Sequence, residues 1–120
     1  MKISLNNFLR NINFRGKWRL IKFFEDRNIP DAIVVPYKNQ TLISINKSEL
    51  IGYDIYWNGG YENSVMWILD HILKKDDVVV DFGANIGVWS VPLAKKCKFL
   101  HSVEPHPEFR KRLHANLELN

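Results

Sequence analysis

Apolar positions fall into short periodic runs separated by polar punctuation. In residues 4–27, Leu5, Phe8, Leu9 and Ile12 form one cluster and Trp18, Ile21 and Phe24 another. Both are spaced by three and four, which predicts two short amphipathic helices broken near Gly16. Beyond Pro30, the β-rich runs 32–37 and 41–45 flank Lys38-Asn39-Gln40 and predict a hairpin. Pro36 lacks an amide donor, which places its strand at a sheet edge.

After Gly59-Gly60, Val65, Ile68, Leu69, Ile72 and Leu73 recur at i, i+3, i+4, i+7 and i+8, one apolar stripe and the clearest helix in the chain. Lys74 and Lys75 suit the negative pole of its dipole, and Asp76-Asp77 make a turn. Val78-Val79-Val80 is short, β-branched and unalternated, the pattern of a strand buried on both faces of a parallel sheet. A second apolar run, 99–103, follows after an interval suited to a right-handed crossover. The crossover helix is expected to begin near Ile86. Pro92 conflicts with a regular helix interior there and predicts a kink or a later start. Pro107 is placed as the first residue of a last helix running to about Leu119, with Phe109 and Leu113 inward and Arg110, Lys111 and Arg112 on a solvated face. The pattern is that of an α/β chain: the opening of a Rossmann-like sheet over residues 59–120, preceded by a helical and β-hairpin region over residues 1–58.

The length of 120 residues and 46% hydrophobic content fit a single domain with a sizeable core. Cys97 is the single cysteine, so no internal disulfide forms and no Cys/His cluster offers metal-ligand spacing; a reducing cytoplasm is the expected compartment. Arg10, Arg15, Lys17, Arg19 and Lys22 interrupt the apolar N-terminal residues, which excludes a signal core or a membrane span there. Residues 1–30 hold seven Lys/Arg against two Asp/Glu, a net of +5, while the whole chain carries +4. Such a segment suits a solvated helix face, nucleic acid or peripheral contact with an anionic membrane. Trp18, Trp57, Trp67 and Trp89 are scattered without the aromatic-and-basic interleaving of a nucleic-acid platform, so they read as packing residues and nucleic acid is not an expected partner.

Candidate chemistry concentrates in Asp81-Phe82-Gly83-Ala84-Asn85-Ile86-Gly87, directly between the buried strand and the expected helix. Gly83 lets the chain approach a ligand, Gly87 lets the helix pack closely on the strand, and a helix N-terminus at this point offers unpaired N–H groups. The dinucleotide fingerprint fails, because Asn85 and Val88 stand where glycines would be needed, and no P-loop lysine follows Gly87. A pyrophosphate cradle is therefore excluded. Asp81 at the strand end repels phosphate and favours a cationic sulfonium, which points to S-adenosylmethionine as cofactor. Glu104, seventeen residues beyond Gly87 at the end of the second strand, is placed to accept hydrogen bonds from ribose hydroxyls. Among the histidines, His106 between Pro105 and Pro107 suits a helix cap; His71, His101 and His114 show no metal spacing.

Gly60-Tyr61-Glu62, the run from Asp76 through Asp81-Phe82-Gly83-Ala84-Asn85-Ile86-Gly87 to Ser90, then Val103-Glu104-Pro105-His106-Pro107 and Leu113…Asn116…Asn120 together resemble the FkbM family of S-adenosylmethionine-dependent methyltransferases, over roughly residues 48–120. The resemblance implies a class I methyltransferase fold acting on hydroxyl groups of sugars or secondary metabolites, with a small-molecule or glycan acceptor as partner. It implies that Asp81, Gly83, Ala84, Asn85 and Gly87 form the cofactor loop, that Glu104 with Pro105 forms the ribose side, and that Glu62 lies near the cofactor. For Glu62 the residues themselves leave a second reading open, an acidic group stabilising the helix that follows. A complete sheet of that class has several more strands than the two at 78–81 and 99–104. The expectation is therefore the N-terminal part of a methyltransferase, truncated before the substrate wall and any general base. The alternative is a non-catalytic remnant or interaction module that retains part of the cofactor site.

Overall fold

A computed structural model of the chain describes residues 9, 12, 14–24 and 30–120. The elements are helix α1 (Lys17–Phe24), strand β1 (Ala32–Tyr37), a 3-10 turn (Lys38–Gln40), β2 (Thr41–Asn46), α2 (Leu50–Asn58), α3 (Asn63–Ile72), β3 (Val78–Phe82), α4 (Ser90–Leu93), β4 (Phe99–Val103) and α5 (Pro107–Glu118). The architecture is mixed α/β, with two separate two-stranded sheets, one antiparallel and one parallel. The first of the two expected N-terminal helices lies outside the described residues except at Leu9 and Ile12. No helix among the described residues is long and apolar enough to cross a membrane.

The hairpin forms as its pattern predicts, in register from Ala32 opposite Asn46 to Tyr37 opposite Thr41. Asn39 and Gln40 turn the chain at φ 55° and 58°, and Thr41 Oγ1 donates to the Lys38 carbonyl at 2.6 Å. Alternation sends Val35, Tyr37, Ile43 and Ile45 inward, where they meet Ile55, Tyr56 and Trp57 of α2 and Ile86 and Val88 of the glycine loop in one apolar cluster. That core runs through residues on both sides of position 58. Helix α2 escaped the sequence pattern because its apolar side chains spread around most of the circumference, with only Asp54 and Asn58 polar, leaving no narrow 3.6-residue stripe to detect.

Four packing expectations are corrected. The α3 stripe is only partly used: Met66 is buried and Leu69 half-buried, while Val65, Ile68 and Ile72 face solvent. Val78 and Val80 are 63% and 48% exposed instead of buried on both faces, because the parallel sheet has two strands and its Val78, Val80 and Phe82 face carries no covering layer. Trp18 and Trp67 are exposed as well; Trp57 alone of the four tryptophans is fully buried. On α5, Arg112 is not on a solvated face, since its Nη1 donates to both carboxylate oxygens of Glu49 at 2.9 Å. Asp70 and Lys96 pair at 2.6 Å. Partial burial is the largest single influence and works against the Asp70 charge, but the hydrogen bonds from Lys96 and Asn39 and the charges of Lys96 and Lys38 together outweigh it and hold the carboxyl below the ordinary range.

Candidate functional site

The parallel pairing sets Val78 opposite Phe99 and Phe82 opposite Val103, so both strands end side by side. Their ends are stitched together by the glycine loop. The N–H groups of Gly83 and Ala84 both donate to the Val103 carbonyl, at 2.8 and 3.1 Å, and the N–H of Asn85 donates to Glu104 Oε2 at 2.8 Å. Ile86 N–H bonds the side-chain oxygen of Asn85 and Gly87 N–H the Ala84 carbonyl, both at 2.8 Å. Every amide from 83 to 87 therefore has an internal partner. The expectation of unpaired N–H groups at a helix N-terminus near Ile86 is corrected: residues 85–89 form turns and α4 begins only at Ser90. Pro92 then falls in the first turn of a four-residue helix, where its missing donor costs nothing. A loop with its amides spent in this way cannot cradle a phosphate, which agrees with the missing dinucleotide and P-loop patterns.

Left-handed backbone alternates along this loop, with φ of 78° at Gly83, 51° at Asn85 and 92° at Gly87. The two glycines do different work. A Cβ on Gly83 would meet nothing within 4 Å, so its position opens on free space. A Cβ on Gly87 would lie 2.9 Å from Leu113 Cδ1 and 3.2 Å from Val91 Cγ2, so Gly87 admits α5, the last helix, against the loop rather than the crossover helix against the strand.

Glu104 is fixed at both oxygens: Oε2 by the Asn85 amide and Oε1 by the N–H of His106 at 2.8 Å. Each oxygen keeps a second lone pair for a further donor. His106 occupies the N-cap position of α5, yet its ring makes no cap bond and stacks instead on Phe109, with centroids 4.8 Å apart. Asp81 is buried and accepts from Ser90 Oγ at 2.6 Å. Ser90 has one proton to give, so the 2.6 Å contact with Ser102 Oγ runs from Ser102 to Ser90, and the proton chain is Ser102 to Ser90 to Asp81.

A cleft of about 310 Å³ opens beside the loop, lined by Ile51, Tyr61, Glu62, Asp81, Phe82, Gly83, Ala84, Asn85, Val88 and Trp89. The structure thus brings Glu62, Asp81, Gly83, Ala84 and Asn85 together around one space. Gly87, Glu104 and Pro105 are not among the lining residues, although Glu104 is bonded to Asn85, which is. Glu62 precedes α3 at φ 45° and ψ 53°, with its carbonyl taking the N–H groups of Val65 and Met66. Its carboxylate makes no cap hydrogen bond, but Glu62 stands at the N-cap of α3, where a negative charge meets the positive end of the helix dipole, so the helix-stabilising reading holds beside the position at the cleft. A non-glycine residue held there costs about 1–2 kcal/mol, a strain that the carbonyl bonds to α3 help to hold.

Sequence reasoning missed Ile51, Trp89, Ser90 and Ser102. Ile51 belongs to the unrecognised α2. The serines carried one usable signal, since polar residues at 90 and 102 interrupt otherwise apolar runs beside the expected strand ends. No protein-family model matches the chain, and no curated protein matches it.

Proposed function

We propose that this chain carries the cofactor-binding opening of an S-adenosylmethionine-dependent methyltransferase of FkbM type, in the first part of a Rossmann-like class I fold. The acceptor in this reading is a hydroxyl on a sugar or secondary metabolite. The observation that supports it most is the bond from Asn85 N–H to Glu104 Oε2, which ties the glycine loop to the acid ending the neighbouring parallel strand. That arrangement joins a carboxylate suited to ribose hydroxyls directly to a loop whose amides at 83–87 are all taken and so offer nothing to phosphate.

The residues present fit the cofactor. Space is open beside Gly83, two carboxylates, Glu62 and Asp81, line the cleft with Tyr61, Phe82 and Trp89, and 310 Å³ lies within the range of small-molecule sites. Glu104 would hold the ribose, the Gly83–Asn85 backbone would lie along the ligand, and Asp81 with Glu62 would supply negative potential toward a cation. When bound, the cofactor supplies an electrophilic methyl group on a sulfonium. The chain's own contribution is to orient and to exclude water along the apolar wall of Ile51, Val88 and Trp89. Titration calorimetry on the full-length protein tests the reading: S-adenosylmethionine and its demethylated product should both bind, and Gly83→Val and Glu104→Ala should each weaken binding at least about tenfold, a loss of about 1.4 kcal/mol. Absence of binding by the wild-type protein overturns it.

One observation favours the second reading, a non-catalytic module. Val78, Val80, Phe82 and Phe99 form an uncovered apolar sheet face, of the kind that engages a partner. Cofactor binding without methyl transfer to any hydroxyl acceptor would select that reading.

A further inference from the structure

We infer that the outward face of α1 is a peripheral docking surface for an anionic lipid bilayer. Two described side chains of the helix turn toward the body. Ile21 is 2% exposed in the core, and the buried Lys17 donates from Nζ to the Trp57 carbonyl at 2.7 Å. At about 100° per residue these two side chains share the inward side. Phe24 falls on the wheel beside Lys17, and the remaining positions read, in order, Trp18, Lys22, Arg19, Phe23 and Leu20, so apolar and cationic residues interleave around the rest of the circumference. Trp18, Leu20 and Phe23 are 53%, 41% and 81% exposed. Phe14, just ahead of the helix, is exposed too.

Two cations gather on the indole: the Arg19 guanidinium lies 5.7 Å and the Lys22 ammonium 5.4 Å from the Trp18 ring. An indole flanked by cations is suited to the headgroup boundary, where the ring enters the acyl edge and the charges meet phosphates. Charge complementarity decides the occupant. Arg19 and Lys22 supply the charge of this face, within a segment 1–30 whose net is +5 with the inward Lys17 counted, and a surface of anionic headgroups is the partner that takes both those cations and aliphatic Leu20. A nucleic acid would use the cations and the aromatic rings but gives Leu20 and Phe14 nothing to bury against. This surface lies outside the cleft and does not depend on the cofactor reading.

Cosedimentation with vesicles tests it. The full-length protein should bind vesicles of mixed phosphatidylglycerol and phosphatidylcholine and leave pure phosphatidylcholine vesicles unbound. Arg19→Gln and Lys22→Gln should each weaken binding about fivefold, the worth of one basic residue at an anionic surface. Trp18→Ala should weaken it by a comparable factor at unchanged net charge, and should remove the blue shift of tryptophan emission on adding anionic vesicles. All three positions are exposed, so an unaltered melting temperature shows that each variant is folded. Equal binding to neutral and anionic vesicles, binding indifferent to Trp18→Ala, or tighter binding to duplex DNA or RNA than to anionic vesicles overturns the proposal.

Discussion

Asn116 on α5 stands against Ser44 of β2 where a neighbouring strand would stand: its side-chain oxygen accepts the Ser44 N–H at 2.7 Å and its amide nitrogen donates to the Ser44 carbonyl at 3.2 Å. One turn on, Asn120 repeats the pairing with Leu42, at 2.8 and 2.9 Å. The match follows from geometry, since four residues of helix rise about 6 Å and two residues of strand about 6.6 Å. The helix thereby closes an edge that would otherwise present unpaired backbone. Asn116 also donates to the Ile86 carbonyl at 2.8 Å, so one side chain ties the hairpin to the glycine loop.

Asn116 is fully buried, and Asn116→Ala leaves the Ser44 and Ile86 backbone groups without their partner. A loss of about 2–4 kcal/mol in urea unfolding is expected, from unsatisfied buried groups at about 1–3 kcal/mol each. Asn120→Ala, at an exposed pair, should cost under about 1 kcal/mol.

The glycines separate binding from stability. Gly87→Ala brings a Cβ within 2.9 Å of Leu113 and adds left-handed strain, so a loss of about 2–4 kcal/mol is expected in the same unfolding measurement. Gly83→Ala meets no atom and should lose about 1–2 kcal/mol from its backbone conformation alone. Its larger effect is expected in calorimetry with the demethylated cofactor.

Asp81→Asn keeps the shape of the side chain and an oxygen for Ser90 while removing the charge. If Asp81 favours a sulfonium, affinity for S-adenosylmethionine should fall several-fold more than affinity for the neutral demethylated product. Equal losses for the two ligands would reject the electrostatic role.

Burial pushes the Tyr37 phenol up to about 12. Its unfolded value is about 10, so ionisation favours the unfolded chain between those pH values. The contribution is complete below pH 10 and is lost as pH rises toward 12, an alkaline destabilisation of about 2–3 kcal/mol. Denaturant midpoints across that range should fall steeply for the wild type and more gently for Tyr37→Phe.

What the sequence determined by itself is what near neighbours decide. The β-branched runs, the polar turn at 38–40, Pro107 at a helix start and the glycines between two strands are local constraints on backbone angles, and the hairpin, α5 and the parallel pair formed where they predict. Asp81, Gly83, Ala84, Asn85 and Glu62 were legible as one group and do surround one cleft. Tertiary structure decided the rest. Where α4 starts depends on Val103 and Glu104 capturing the loop amides across the strand pair, contacts that no window around Ile86 contains. Whether Val78 and Val80 are covered depends on how many strands and helices lie alongside them. Asn116 and Asn120 entered the sequence reading only through the family resemblance, with no structural role, because the edge they satisfy lies over seventy residues earlier. Backbone preference is written in adjacent residues, whereas the partner of a polar group is settled only when distant segments meet.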